Sequence, residues 1–337
     1  MSVFIIAEIG STHDGSIGIA KNSIKVAAEC GVDGVKFQTP IAEYESIPNA
    51  PNPPLFKEES RIDYFKRTTF SVEGWKELKH CAEKHNVTFL SSVFSHQSVD
   101  LLEEVEVECY KIPSGEVTNI PLIEYVARTD KPVLLSSGMS SWRELNEAVD
   151  TLRKWTDRIT ILQCSSIYPC RYEEVGLNVI GEMRKKYLLP VGLSDHTLTN
   201  YASFAAVALG VTVIEKHFTL SKNLYGSDAA HSVDPNGFMD LVEGVRAIES
   251  IMSHNVDKDD IERYAETKLI YEKSIVATKN ISVGETLTKA MLSLKKPGTG
   301  LPARFLERII GIKTIKKIAL DEVLTYASLG LKDEDFI

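Results

Sequence analysis

Eight short apolar runs recur between Val3 and Thr219, and most are followed by a longer amphipathic segment. The runs are VFIIAEIG, GVKFQT, VTFLSSVF, CYKIPSG, PVLLSSG, ITILQCSS, PVGLSDHT and VTVIEKHFT. The intervening segments, such as SIGIAKNSIKVAAECG and SVEGWKELKHCAEKHN, have helical spacing. Gly31 ends the first of these, and Ser71 opens the second with Glu73 and Glu77 in its early turns, as helix ends and starts require. Strands that alternate with helices form a parallel sheet. Eight repeats predict a closed (β/α)8 barrel, the TIM barrel, whose usual length is about 250 residues. The alternative is a doubly wound open sheet. That fold carries a GxGxxG turn after its first strand, and EIGSTHDGS lacks the spacing.

The barrel is assigned to residues 1–255. Residues 40–70, rich in proline and charge, make one connection long enough to act as a lid or an interface element. A polar stretch, SHNVDKDDIERYAETK, follows a helical pattern near 235–254. A linker is therefore placed at 256–271. Residues 272–337 change character to short strands, turns and small helices, too few for a second barrel, and are read as a small β-rich domain.

Composition removes several functions. With 38 basic and 47 acidic residues the net charge is −9, and no basic run appears, so neither nucleic acid nor an anionic membrane is an expected partner. No apolar run approaches the roughly 20 residues of a membrane span. The N-terminus is apolar at once, without a basic n-region, and reads as a first strand. The five cysteines are odd in number and lack CxxC spacing, which disfavours a disulfide scaffold or a zinc cluster. A soluble, cytoplasmic protein is expected.

In a barrel of this kind the C-terminal strand ends face the active site. Those ends carry Glu8, Lys36, Gln38, Ser92, Lys111, Ser114, Glu116, Ser136, Ser137, Ser166, Ser194, Asp195, His196 and His217. Lysine is almost never fully buried without a partner. Two of them inside strand patterns point to an anion pocket, completed by hydroxyls and by the glycine N–H groups of PSG and SSG. His196 and His217 end consecutive strands. Two imidazoles, a nearby carboxylate and open positions describe a Lewis-acid metal centre. Glu8 is the candidate carboxylate for the mouth. Asp195 adjoins His196, so its side chain points elsewhere and serves a neighbouring strand. Asp228 and His231 lie in a loop beyond His217 and are lid candidates; Cys164 and Tyr168 carry weaker signals. Residue types alone leave two chemistries open beside a phosphate-bearing substrate: metal-assisted aldol-type condensation and metal-assisted phosphate hydrolysis.

The series IIAEIG, GVKFQT, FLSSVFS, YKIPSGE, LLSSGM, LQCSSIYP, GLSDHT and VIEKHFT resembles the sialic acid synthase family, which includes the legionaminic and pseudaminic acid synthases. The tail, through SIVATKNISVGETLT and KKPGTG, resembles that family's antifreeze-like SAF domain, a β-clip. The resemblance implies condensation of phosphoenolpyruvate with an N-acyl hexosamine, giving a nine-carbon 2-keto sugar acid and phosphate. N-acetylmannosamine, its 6-phosphate and a 2,4-diacetamido relative are the candidate sugars. The resemblance implies that His196 and His217 hold Mn²⁺, with Mg²⁺ or Co²⁺ as alternatives. It implies that Lys36, Ser92, Lys111, Ser114, Ser136, Ser166 and Ser194 hold phosphoenolpyruvate. Glu8, Gln38, Glu116, Tyr168 and Asp228 are implied to face the sugar or the proton transfers. It further implies a domain-swapped homodimer whose SAF domain brings a basic residue to the acyl group. That residue is Lys296 here, where neuraminate enzymes have arginine, and an ammonium lacks arginine's bidentate fork. Thr12 stands where the family commonly has asparagine. A synthase of shorter sugars and a non-catalytic sugar-binding or ice-binding-like relative are the competing readings.

Overall fold

The structure is a computed structural model that describes residues 2–52, 59–226, 228–332 and 334. It divides into two compact units, Met1–His254 and Asn255–Ile337.

In the first unit every predicted run contains a strand. These are β1 (Phe4–Gly10), β2 (Gly34–Thr39), β3 (Thr88–Val93), β4 (Tyr110–Ile112), β5 (Val133–Ser136), β6 (Ile159–Cys164), β7 (Val191–Asp195) and β8 (Val213–His217). They pair in chain order, all parallel where paired, and β8 closes onto β1. Helices start where the sequence provides caps. Ser16 accepts from Ile19 N before helix Ile17–Glu29, and Ser71 accepts from Gly74 N before helix Val72–Lys84. Gly31, just past the first helix, has φ +86°, a conformation that favours glycine.

Alternation along each strand gives the barrel two different faces. One set packs against the helices in the main core, including Ile5, Ala7, Val35, Phe37, Tyr110, Leu135, Ile161, Leu193 and Ile214. The other set points inward. Its lower level is a separate apolar cluster of Ile6, Leu90, Leu134, Leu162 and Val213. Two residues further along these strands come Glu8, Ser92, Ser136, Cys164 and Glu215, so the interior turns polar directly above that cluster.

The long connection after β2 contains helices Ala42–Glu45 and Arg61–Thr68; its residues 53–58 lie outside the described residues. In the second unit the stretch expected as a linker holds a short helix, Ala265–Tyr271, and Leu269 O accepts from Gly298 N at 2.8 Å. Strands β9 (Ser274–Ala277) and β10 (Leu292–Lys295) pair antiparallel. Ile275, Ala277, Ile281, Leu287, Leu301, Phe305, Ile309, Ile318 and Leu324 form this unit's own core. Among the described residues no helix is long and apolar enough to cross a membrane.

Candidate active site

The two lysines predicted for an anion pocket do converge, and the group between them is Glu215. Lys111 Nζ donates to both Glu215 carboxylate oxygens at 2.7 Å. Lys36 Nζ lies 3.9 Å from the same carboxylate and 2.7 Å from Glu8 Oε2. All four side chains are buried. Ser92 Oγ accepts from Lys36 at 2.9 Å, Ser194 Oγ donates to Glu215 at 3.0 Å, and Gln38 Nε2 donates to Glu8 Oε1 at 2.9 Å. Glu215 was not among the residues read from the sequence. The signal was present: in VIEKHFT it stands two residues before His217, on the same inward face.

The electrostatics follow from burial opposed by partner charge. Burial pushes the Glu8 carboxyl up to about 6, against the pull of Lys36. Burial also works against Glu215, but Lys111 and Lys36 outweigh it and hold that carboxyl at about 2. Burial pushes the Lys111 ammonium down, opposed by Glu215. Lys36 is pushed down by burial too, yet Glu215 and Glu8 together raise it above the ordinary lysine range.

A second group of hydroxyls lies beside this charge cluster. Ser114 Oγ accepts from Gly138 N at 3.1 Å and donates to Cys164 Sγ at 3.5 Å. A Cβ on Gly138 would lie 2.2 Å from Ser166 Oγ and 2.6 Å from Ser114 Oγ. A glycine there lets the backbone lie close to both serines, with its N–H on Ser114. Ser136 is buried at the end of β5. Glu116 accepts from Asn119 at 2.7 Å, and burial raises its carboxyl.

The histidines are neighbours, with ring centroids 5.5 Å apart. His196 Nδ1 is 2.8 Å from Ser165 O, so in the neutral ring Nδ1 carries the proton and Nε2 the lone pair. Tyr168 OH is 3.1 Å from that Nε2, and its ring flanks both imidazoles. Burial pushes His217 down to about 4, which leaves it neutral at neutral pH. Its Nδ1 is buried without a hydrogen-bond partner, an arrangement that costs free energy unless something binds there. Among the described residues no group of three or more His, Cys, Asp or Glu side chains forms a metal cage. Two adjacent imidazoles, one with an unpartnered buried nitrogen, are donors that an open centre would use, and two donors do not make a closed structural site.

Asp228 reaches the mouth from the loop after β8. Its Oδ2 accepts from Ser11 N at 3.2 Å and Ser11 Oγ at 3.0 Å, and Tyr64 OH donates to Ser11 Oγ at 2.8 Å. A Cβ on Gly10, where φ is +55°, would lie 2.6 Å from this oxygen. Thr12 closes the turn after β1 through a 2.8 Å bond to Ile9 O. Lys296 lies in the second unit, its ammonium 4.9 Å from the Tyr271 ring centroid. Asp195 turns away from the mouth, as strand alternation predicts, and pairs with Lys216 at 2.8 Å.

Fold and domain content define the class: a (β/α)8-barrel enzyme followed by an SAF domain, which residues 272–330 match. Residues 23–257 match the NeuB family, and the chain belongs to that family. It is 36% identical to an N,N'-diacetyllegionaminic acid synthase of Campylobacter jejuni, over 95% of this chain and 98% of the relative. It is 34% identical to an N-acetylneuraminate-9-phosphate synthase of Mus musculus, over 97% and 92%. Among solved structures, the N-acetylneuraminic acid (sialic acid) synthetase of Leptospira borgpetersenii aligns with a TM-score of 0.71 at 30% identity, covering 80% of this chain and 92% of that one.

Proposed function

We propose that this enzyme condenses phosphoenolpyruvate with the open-chain aldehyde of an N-acyl hexosamine, yielding a nine-carbon 2-keto sugar acid and phosphate. The observation that carries the reading is the convergence of Lys36 and Lys111, both buried, on one carboxylate among serine hydroxyls. Lys111 pairs with Glu215 and Lys36 is divided between Glu215 and Glu8, so the two buried ammoniums offer a further anion charged N–H donors within a cluster whose own charges are matched. Phosphoenolpyruvate brings a carboxylate and a phosphate to that place. Ser92, Ser114, Ser136, Ser166 and Ser194 supply further hydroxyl contacts, and Gly138 an N–H.

In the reaction carbon 3 of the enol attacks the aldehyde carbon, and the new C–C bond leaves positive character at carbon 2. Water adds at carbon 2 and gives up a proton. The aldehyde oxygen takes up a proton and becomes a hydroxyl. The tetrahedral carbon 2 then expels phosphate as its C–O bond breaks, its hydroxyl passes its proton to the departing phosphate, and the 2-keto group forms. Glu8, held near 6, is suited to move a proton close to neutral pH. Glu215 stays ionised and offsets the positive charge at carbon 2. Gln38, Glu116, Tyr168 and Asp228 face the sugar in this reading. A divalent ion, Mn²⁺ first and Mg²⁺ or Co²⁺ next, would be held by His196 and His217 and would supply Lewis-acid polarisation of the aldehyde oxygen.

Relatives at 34–36% identity are named as synthases of different sugar acids. N-acetylmannosamine, its 6-phosphate and a 2,4-diacetamido hexose are therefore all candidate acceptors. The family resemblance also carries a homodimer and a sugar contact by Lys296 into this reading, and sedimentation velocity tests the dimer. Phosphoenolpyruvate is a cytoplasmic metabolite, and we place the enzyme there. Phosphate release is expected with phosphoenolpyruvate, Mn²⁺ and one of the three sugars; release with none of them refutes the reading. His217→Ala separates an enzyme from a sugar-binding relative, because the enzyme loses turnover and a binder keeps its sugar affinity.

A further inference from the structure

We propose that Lys216 and Asp195 form a positioning clamp that sets the spacing of His196 and His217. The inference rests on the proposed role of those histidines as metal ligands.

Lys216 immediately precedes His217 on β8, and Asp195 immediately precedes His196 on β7. The side chains of Lys216 and Asp195 are 1% and 0% exposed. Lys216 Nζ donates to Asp195 Oδ2 at 2.8 Å and to Thr197 O at 2.8 Å. One ammonium therefore grips the residues on both sides of His196, from the residue next to His217. Asp195 is also held by other donors: its Oδ1 accepts from Thr197 N at 2.9 Å, and its Oδ2 from Ser203 Oγ at 2.7 Å. Ser203 belongs to helix Tyr201–Ala208, which packs on the outside of β7.

Two arguments give this pair a geometric role. First, a buried ion pair is a poor source of stability, since apolar side chains of similar volume usually serve as well or better. Second, its location is where strand pairing stops. Asp195↔Lys216 is the last register pair between β7 and β8, so that seam holds nothing beyond it, while His217 stays in register with Glu8 of β1 on its other side. On the β6 side His196 is fixed by Cys170 N donating to His196 O at 3.1 Å and by the Ser165 carbonyl on its Nδ1. On the β8 side Lys216 takes the place of the missing ladder bonds. The clamp faces outward while the histidines face the mouth, so it acts on them through the backbone and touches no substrate.

The test is Mn²⁺ titration calorimetry on the full chain, with thermal unfolding and phosphoenolpyruvate binding measured alongside, for Lys216→Met and for the double variant Asp195→Leu/Lys216→Met. The double variant restores an uncharged interior and decides the matter if Lys216→Met alone fails to fold. The clamp predicts a Mn²⁺ Kd raised about 10–100-fold, the usual effect of losing a group that orients a ligand. Metal-free phosphoenolpyruvate affinity should stay near that of the unaltered protein, while the melting temperature of the double variant should fall, because Thr197 N, Thr197 O and the Ser203 hydroxyl lose their partners. An unchanged Mn²⁺ Kd in a folded double variant overturns the proposal. If the unaltered protein binds no divalent ion, the metal reading fails by itself. The clamp is then judged from the crystal structure of the double variant. Movement of the imidazoles by roughly 1 Å or more from their 5.5 Å separation upholds it, and an unchanged pair overturns it.

Discussion

Glu215 and Lys111 meet at 2.7 Å although they start from β8 and β4, opposite strands of a closed eight-stranded barrel. The bond spans the interior just above the apolar cluster that seals it from below. It makes the floor of the mouth a charged surface in a low-dielectric setting, where each charge depends on its partner.

Removing Glu215 should therefore expose the lysines. Glu215→Gln leaves the Lys111 ammonium buried without its counter-charge, and the unfolding free energy should fall by about 3–5 kcal/mol. Phosphoenolpyruvate should then restore more stability to the variant than it adds to the unaltered protein, because it returns the missing negative charge. Urea unfolding with and without the ligand measures both effects. Equal ligand stabilisation in the two proteins would count against the lysines as its site.

Lys36→Met should weaken phosphoenolpyruvate binding about 10–100-fold, the value of one or two charge-assisted hydrogen bonds. Mn²⁺ affinity should hold, since Lys36 makes no bond to either histidine among those described. Calorimetry with each ligand separately distinguishes the two sites.

Gly138→Ala places a methyl group among Ser114, Ser166 and Cys164. The serines must turn aside; overpacking of this kind costs about 1–3 kcal/mol, and where that cost falls on substrate binding KM for phosphoenolpyruvate rises about 5- to 150-fold. The KM for the sugar should move little. Steady-state kinetics with each substrate varied in turn checks the split.

Burial raises the Glu8 carboxyl to about 6, so it is protonated below that pH and ionised above it. With ionised Glu8 required, kcat/KM should fall as pH drops through about 6, and Glu8→Gln should lose both activity and that acid limb. A limb that persists unchanged in the variant assigns it to another group.

The barrel was legible because each strand is apolar, short and followed by a helical segment, a pattern that depends on local sequence alone. Part of the mouth was legible, since Lys36, Lys111, His196 and His217 are out of character within apolar runs, while Glu215, in the same run as His217, was passed over. What stayed hidden were the partnerships. That Lys111 ends on Glu215, 104 positions away, follows only from barrel closure, which sets β4 opposite β8. Lys216 and Asp195 could be read as facing outward by parity, but their pairing needs the β7–β8 register. The Tyr64–Ser11–Asp228 chain joins the helix Arg61–Thr68 to two loops and leaves no periodic trace in the sequence. Lys296 lies in a loop, where no periodicity fixes direction, and its contact with Tyr271 appears only in three dimensions.

The central claim is that a carbon–carbon bond forms as phosphate leaves. Mass spectrometry of the products from phosphoenolpyruvate, Mn²⁺ and each of the three sugars tests it most directly. The account predicts, for at least one sugar, a product whose mass equals the sum of phosphoenolpyruvate, sugar and water less phosphoric acid, formed in equal amount with phosphate. Phosphate released together with free pyruvate and unchanged sugar would mean simple hydrolysis and would contradict it.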